Sequence, residues 1–340
     1  MGRGTTADVT LPCAGLTLTG ALAGVLALLA FGAVMIGPYA LTPGQVVSAL
    51  LCHGEQQAQI VVWNIRLPRV GAALLVGAAL AAAGASYQAL FRNPLVSPDI
   101  LGVSAGAGLG AVAGIFLSLP VAAIQASAFV GGMAAVGVVT LVGGMVRHTD
   151  RTLTLVLLGV VVGALAGAAT SLLKVMADPY DQLPAITFWL LGSLASITTR
   201  DILPALPVVL IGLVPLALLR WRINVLSLGD DEARALGVEA GRTRFLVIAA
   251  ATLITASVTA LAGVVGWVGL VIPHIARMLV GPGFGRLLPA SALIGAGYLL
   301  IVDTLARTIA AVEVPLGVLT AVIGAPFFVW LLARGRRGWS

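Results

Sequence analysis

The longest stretches without an acidic or basic side chain decide what this chain can fold into. The 47 residues between Asp99 and Arg147 contain no Asp, Glu, Lys or Arg, and neither do the 32 between Arg244 and Arg277. A helix needs about 20 apolar residues to cross a hydrocarbon layer of roughly 30 Å, so each interval has room for two crossings. The chain is 59% hydrophobic and only 9% charged, whereas a soluble domain is about one quarter charged. That excludes a soluble protein. The apolar content excludes disorder, and two cysteines cannot staple a small scaffold. What remains is an all-α polytopic membrane protein read as a single domain over residues 1–340.

Counting intervals along the chain predicts ten transmembrane helices. One lies near 16–36, after which Pro38, Pro43 and Gly44 break the pattern. A second lies between Arg69 and Arg92. Two fill 99–147, interrupted around Ser118-Leu119-Pro120, and one follows between Arg151 and Lys174. The stretch around 185–196, which carries Gly192, reads as a short, partly inserted extracytoplasmic helix and not as a crossing. Residues 202–219 make one crossing. The interval 244–277 makes two, the second short and entered through Gly263, Gly266 and Gly269. Residues 287–308 and 314–333 complete the set.

An even number of crossings puts both termini on one side. With the N-terminus inside, 14 of the 19 basic residues fall on inner loops and ends: Arg3, Arg92, Arg147, Arg151, Arg220, Arg222, Arg234, Arg242, Arg244, Arg277, Arg286, Arg334, Arg336 and Arg337. Only Arg66, Arg69, Lys174, Arg200 and Arg307 are left outside. Short cytoplasmic loops are enriched in Lys and Arg, so both termini are predicted to be cytoplasmic. The formal charge of +6 therefore reads as topology and not as a nucleic-acid footprint.

Several chemistries have no residues to perform them. The only lysine, Lys174, follows Leu172-Leu173 and no glycine loop, so there is no Walker A sequence and ATP hydrolysis would belong to another chain. Paired acids at mid-membrane depth, the mark of many ion-coupled carriers, are absent. Lys174, Asp303 and Arg307 lie near helix ends and read as side chains snorkelling to the interface. His53, His148 and His274 are too scattered for a metal site, and Pro273-His274 reads as a helix end. Neither a nucleophile motif nor H-E-x-x-H occurs, so no catalytic residue, metal or bound cofactor is expected. Gly102, Gly106, Gly110 and Gly114, spaced by four, form a smooth stripe suited to close helix packing.

The longest inner loop, about 221–243, contains Gly229-Asp230-Asp231-Glu232-Ala233-Arg234-Ala235-Leu236-Gly237. It reads as a short helix. Three acids occupy the first turn, where the helix dipole favours them, and Gly237 is suited to a left-handed stop. A short helix built this carefully suggests a docking element for a cytoplasmic partner.

This loop and two other blocks resemble the FecCD-type permeases of iron-chelate and cobalamin ABC importers. The first block runs from Arg66-Leu67-Pro68-Arg69 through Gln88-Ala89-Leu90-Phe91-Arg92-Asn93-Pro94-Leu95 to Pro98-Asp99-Ile100-Leu101-Gly102-Val103. The other runs from Gly269-Leu270-Val271-Ile272-Pro273-His274-Ile275-Ala276-Arg277 through Asp303 and Arg307 to Leu316-Gly317-Val318-Leu319-Thr320 and Gly324-Ala325-Pro326-Phe327.

The resemblance implies the type II importer architecture. Two permease subunits, most simply a homodimer, would sit over two cytoplasmic ATPase subunits, which hold the ATP and Mg, under one extracytoplasmic substrate-binding protein. It implies that Gly229–Gly237 is the helix that couples to the ATPase, and that Arg66, Arg69 and Arg307 dock the binding protein. Asn93, Pro94, Leu95, Thr152 and Leu153 would form the cytoplasmic gate. The pathway would be lined from 154–173, 185–196 and 315–328. The expected function is inward translocation of an iron(III)–siderophore across the bacterial cytoplasmic membrane. Heme, cobalamin or molybdate are alternative cargoes on the same scaffold, and an ATP-independent secondary transporter is the rival class.

Overall fold

A computed structural model describes residues 12–146 and 151–334, and every regular element among them is helical. In chain order the helices are α1 (Pro12–Met35), α2 (Pro43–Leu50), α3 (Gln56–Ile60), α4 (Leu67–Leu90), α5 (Val103–Phe116), α6 (Val121–Met145), α7 (Arg151–Met176) and α8 (Gln182–Leu191). There follow α9 (Thr199–Leu218), α10 (Arg220–Leu226), α11 (Asp230–Ala235), α12 (Ala240–Ala262), α13 (Val268–Val280), α14 (Phe284–Ala306) and α15 (Leu316–Arg334). A π-helical turn, Val61–Arg66, joins α3 to α4, and a 3₁₀ turn, Pro98–Leu101, precedes α5. Of the residues counted or named above, Arg3, Arg147, His148, Arg336 and Arg337 lie outside the described residues.

Seven helices among the described residues are long and apolar enough to cross a bilayer: α1, α4 with its N-terminal extension, α6, α7, α9, α12 and α14. The other three expected crossings appear as shorter apolar helices, α5, α13 and Leu316–Leu331 of α15. At about 1.5 Å per residue, the 14 residues of α5 fall short of the hydrocarbon thickness. Its path is lengthened by the 3₁₀ turn before it.

Burial sorts the bundle. In α4 and α12, 78% of the apolar window is buried inside the chain, against 11% in α1 and 17% in α7. α4 packs on α14, α12 and α13, while α12 also carries α9 and α6. Between the two central helices the Tyr87 hydroxyl and Thr252 Oγ1 share a hydrogen bond of 3.0 Å, so both hydroxyls are satisfied in the core.

Lipid offers no hydrophobic drive for helix pairing, and the central crossings depend on backbones touching. A Cβ on Gly77 would overlap the Gly295 carbonyl of α14, and one on Gly295 would overlap the Gly77 carbonyl. The α5 stripe behaves in the same way against α6 for Gly106 and Gly110, and Gly114 packs closely on Ile124. Gly102 departs from that expectation. It stands before α5 with φ +80°, turning the chain from the 3₁₀ turn into the helix beside Gly159 of α7.

Two boundaries also differ from the sequence reading. The short helix α8 starts at Gln182 and ends at Leu191, because Gly192 takes φ +71° and the chain then runs without helix to Thr198. Pro273-His274 lies inside α13 and not at its end. Proline is tolerated there because it is the sixth residue of a short helix, and only one interior backbone bond is lost.

The irregular stretches meet one another. Ser193 donates its N–H to the Ala262 carbonyl at the end of α12 (2.9 Å), and Leu316 at the start of α15 donates to the Gly192 carbonyl (2.9 Å). Non-helical backbone at membrane depth is tolerated where other protein groups satisfy it. Trp267, just before α13, holds φ +70° and sets its ring edge-on to Phe328 of α15 at 6.3 Å.

Candidate functional site

The loop about 221–243 forms the helix that its sequence suggests. Asp230, Asp231 and Glu232 occupy the first turn of α11, and Ala233 is fully buried beneath it. Gly237, at φ +74°, ends the helix: its N–H bonds to the Arg234 carbonyl (2.9 Å) and the Val238 N–H bonds to the Ala233 carbonyl (2.8 Å). That pair of bonds is a Schellman stop, and it requires a left-handed residue at this position. Arg244 of α12 anchors the other end through Asp230 at 3.0 and 3.4 Å.

This contact holds the Asp230 carboxyl below the usual aspartate range. The pair therefore contributes at neutral pH and is lost only as pH falls through the lowered value. Asp231 and Arg234 pair at 3.4 Å on the exposed side, and Leu236 is half exposed. The loop also holds α10, a turn that the sequence reading did not separate from the rest. Gly237→Ala should strain the stop by about 1–2 kcal/mol, which would appear as faster hydrogen exchange at the Val238 amide with the transmembrane amides unchanged.

Asn93, Pro94 and Leu95 lie in the turn after α4. Arg92 takes φ +50°, and Asn93 Oδ1 accepts the Leu95 N–H at 2.9 Å. Thr152 and Leu153 are in the first turn of α7, with Leu153 exposed. The 3₁₀ turn packs between these segments and leaves no room for a Cβ between Gly159 of α7 and the Ile100 carbonyl. Further along α7, Leu157, Val160, Val161 and Leu165 form an exposed apolar face.

At the opposite end of α4, the structure gathers the three arginines that the family resemblance implies for docking, but it buries their side chains. Arg66 donates to the carbonyls of Val34 (2.7 Å), Met35 (3.1 Å) and Tyr39. Arg69 Nε reaches both oxygens of Asp303 (2.8 and 3.0 Å), and its Nη1 donates to Glu313 at 3.0 Å. Arg307 Nη2 donates to the Ala33 carbonyl at 2.6 Å, while its Nε is 3.8 Å from Asp303 Oδ2 and has no hydrogen-bond partner. All three line a cavity of about 350 Å³ with Pro38, Tyr39 and Glu313.

Asp303 is wholly buried, so neither it nor Arg307 snorkels. Burial of two ions is tolerated only when each is paired, and Asp303 has Arg69 along one side and Arg307 along another. Glu313 was missed by the sequence reading. The available signal was a lone acid in an otherwise apolar link between two crossings.

The family model described as the FecCD transport family matches residues 25–334. The chain belongs to that family.

A cobalamin import system permease, BtuC of Halobacterium salinarum, is 45% identical over 278 residues, covering 82% of this chain and 74% of the relative. The Fe(3+) dicitrate transport system permease FecD of Escherichia coli is 44% identical over 280 residues, covering 81% and 86%. A solved inward-facing structure assigned to the metal-chelate type of ABC transporter matches with TM-score 0.87 and 37% identity, covering 94% of this chain and 99% of the other. This FecCD protein is thus an ABC importer permease, a transport subunit that works with partner subunits and sits as a multi-pass protein in the cytoplasmic membrane.

Proposed function

We propose that this FecCD permease carries an iron(III)–siderophore inward by alternating access, crossing the membrane ten times as a single domain with both termini in the cytoplasm. Two copies sit over two ATPase subunits and under one binding protein. ATP and Mg are held by the ATPases, and this chain binds no cofactor. In this reading Gly229–Gly237 seats in the ATPase, Asn93–Leu95 with Thr152 and Leu153 closes the inner end, and Arg66, Arg69 and Arg307 receive the binding protein. The apolar face of α7 is available for the second copy.

The observation that carries the reading is α11. It is a six-residue helix fixed at both ends, by Arg244 and by the Gly237 stop, yet it keeps Leu236 and Arg234 exposed. A carrier working without an ATPase has no use for such a rigid cytoplasmic projection. Cobalamin is the second cargo, favoured by the 45% identical relative named for it. Heme and molybdate belong to the same class of alternatives.

The test is uptake into proteoliposomes holding the permease with the ATPase and binding protein encoded beside it, offered a ferric siderophore, heme, cobalamin and molybdate in parallel. Ferric siderophore accumulation that requires both ATP and binding protein is the expected result. Accumulation of another cargo would reject the iron assignment, and accumulation without ATP would reject the importer mechanism.

A further inference from the structure

Arg69 is held by two carboxylates of different character. Asp303 is fixed in α14, wholly buried, and engages Nε. Glu313 stands on the non-helical link between α14 and α15, its side chain 29% exposed, and takes the outer Nη end of the same guanidinium. Both Arg69 and Glu313 face the 350 Å³ cavity, which reaches the surface past the exposed Ala310 and Ala311.

The cluster's three arginines face only two acids, Asp303 and Glu313. Arg307 Nε, on a side chain only 5% exposed, lacks a hydrogen-bond acceptor among the described residues. The cluster therefore carries one positive charge more than its acids balance, and the partly exposed acid is the one on non-helical backbone.

We propose that Glu313 is a placeholder, occupying the Nη face of Arg69 until an acidic side chain of the docking binding protein enters the cavity and displaces it. This rests on the docking reading of Arg66, Arg69 and Arg307. An incoming carboxylate finds the Nη pair of Arg69, a charge-assisted bidentate seat, with the buried Arg307 guanidinium adding positive charge behind it. Displacement also transmits a signal. The link is pinned behind Glu313 by the Val314 N–H to the Ala306 carbonyl (3.1 Å), and Leu316 is tied to the end of α8 through Gly192 (2.9 Å). Freeing Glu313 loosens the segment that enters α15 and touches α8, two of the segments assigned to the pathway. Because Glu313 competes for the seat, it lowers the apparent affinity by the fraction of permeases in which it occupies that seat.

The experiment measures binding-protein capture by the permease–ATPase complex in nanodiscs, using the binding protein encoded beside it. Glu313→Gln should tighten capture by about tenfold through removal of the competitor, with Glu313→Asp close to wild type. Arg307→Gln, measured in parallel, should weaken capture. If Arg307→Gln leaves capture unchanged, the docking reading itself fails. If Arg307→Gln weakens capture while Glu313→Gln also weakens it or leaves it unchanged, Glu313 is scaffold and the placeholder fails.

A second measurement keeps Glu313 intact. Nitroxides on the exposed native Cys52 and on Val312→Cys, with Cys13→Ser, should report a distance change of the link when the binding protein docks. An unchanged distance distribution overturns the proposal.

Discussion

Gly84→Ala is expected to be among the most damaging single substitutions in this protein, although it adds one methyl group. Gly84 is in the buried centre of α4, where a Cβ would overlap the Gly269 backbone of α13. Gly269 in turn lies against Pro98 and the Leu80 carbonyl. Ordinary overpacking costs about 1–3 kcal/mol because side chains can yield. Here the obstacle is backbone on both sides, and the helices themselves must separate. The loss should reach or exceed the upper end of that range, seen as a depressed melting temperature and aggregation on size exclusion. Gly137→Ala in α6 is the control, since a Cβ there meets nothing within 4 Å. It should leave stability unchanged or raise it, by up to about 1 kcal/mol of helix propensity. Equal losses at both positions would remove the close-approach explanation.

Leu236→Asp should abolish coupling while leaving the fold intact. Leu236 is 52% exposed at the end of α11 and donates only its backbone N–H to the Glu232 carbonyl, so a carboxylate there has access to water. If α11 seats in the ATPase, an apolar anchor replaced by a charge should cost about 2 kcal/mol or more, roughly a 30-fold loss of ATPase capture. Hydrolysis should then no longer respond to the binding protein. Ala233→Asp should act differently. Ala233 is completely buried under α11, and an unpaired carboxylate there would unseat the helix from its own protein before any partner is considered. Retained co-purification and stimulated hydrolysis in Leu236→Asp would reject the coupling role of α11.

Those two substitutions mark the boundary between what one-dimensional pattern carries and what it does not. α11 was legible because its determinants are local: acids in the first turn and a glycine two residues past the end all lie within Asp230–Gly237. The long apolar helices were legible for a similar reason, since an uncharged interval of adequate length has few alternatives in a bilayer; seven of the ten expected crossings are long enough to span it. The glycine stripe on α5 was readable for three of its four members. Gly102 was not, because whether a glycine packs in a helix or turns the chain depends on where that helix begins.

The outer cluster resisted reading for a different reason. Charge counting placed Arg66, Arg69 and Arg307 on the outer side, and the resemblance supplied a partner for them. No local pattern could reveal that Arg69 meets Asp303 and Glu313 more than 230 positions away. Nor could it show that Arg66 spends its donors on the last two carbonyls of α1 and on that of Tyr39 beyond it. For this reason Arg69→Glu is a poor probe of docking. It would set a third carboxylate beside Asp303, and any loss of capture would be confounded with loss of the fold. Arg307→Gln leaves Asp303 paired with Arg69 and is the better probe.

By itself the sequence determined the solvent of this protein, the order of its apolar segments, and the one short loop helix built from adjacent residues. These follow from burial in lipid and from hydrogen bonds spanning three to five positions. The tertiary structure alone decided which helices are central, which charges are buried, and how the broken ends at Gly192, Ala262 and Leu316 satisfy one another. Those outcomes depend on backbones meeting across the bundle, where a pairing is set by which surfaces can approach and not by separation along the chain.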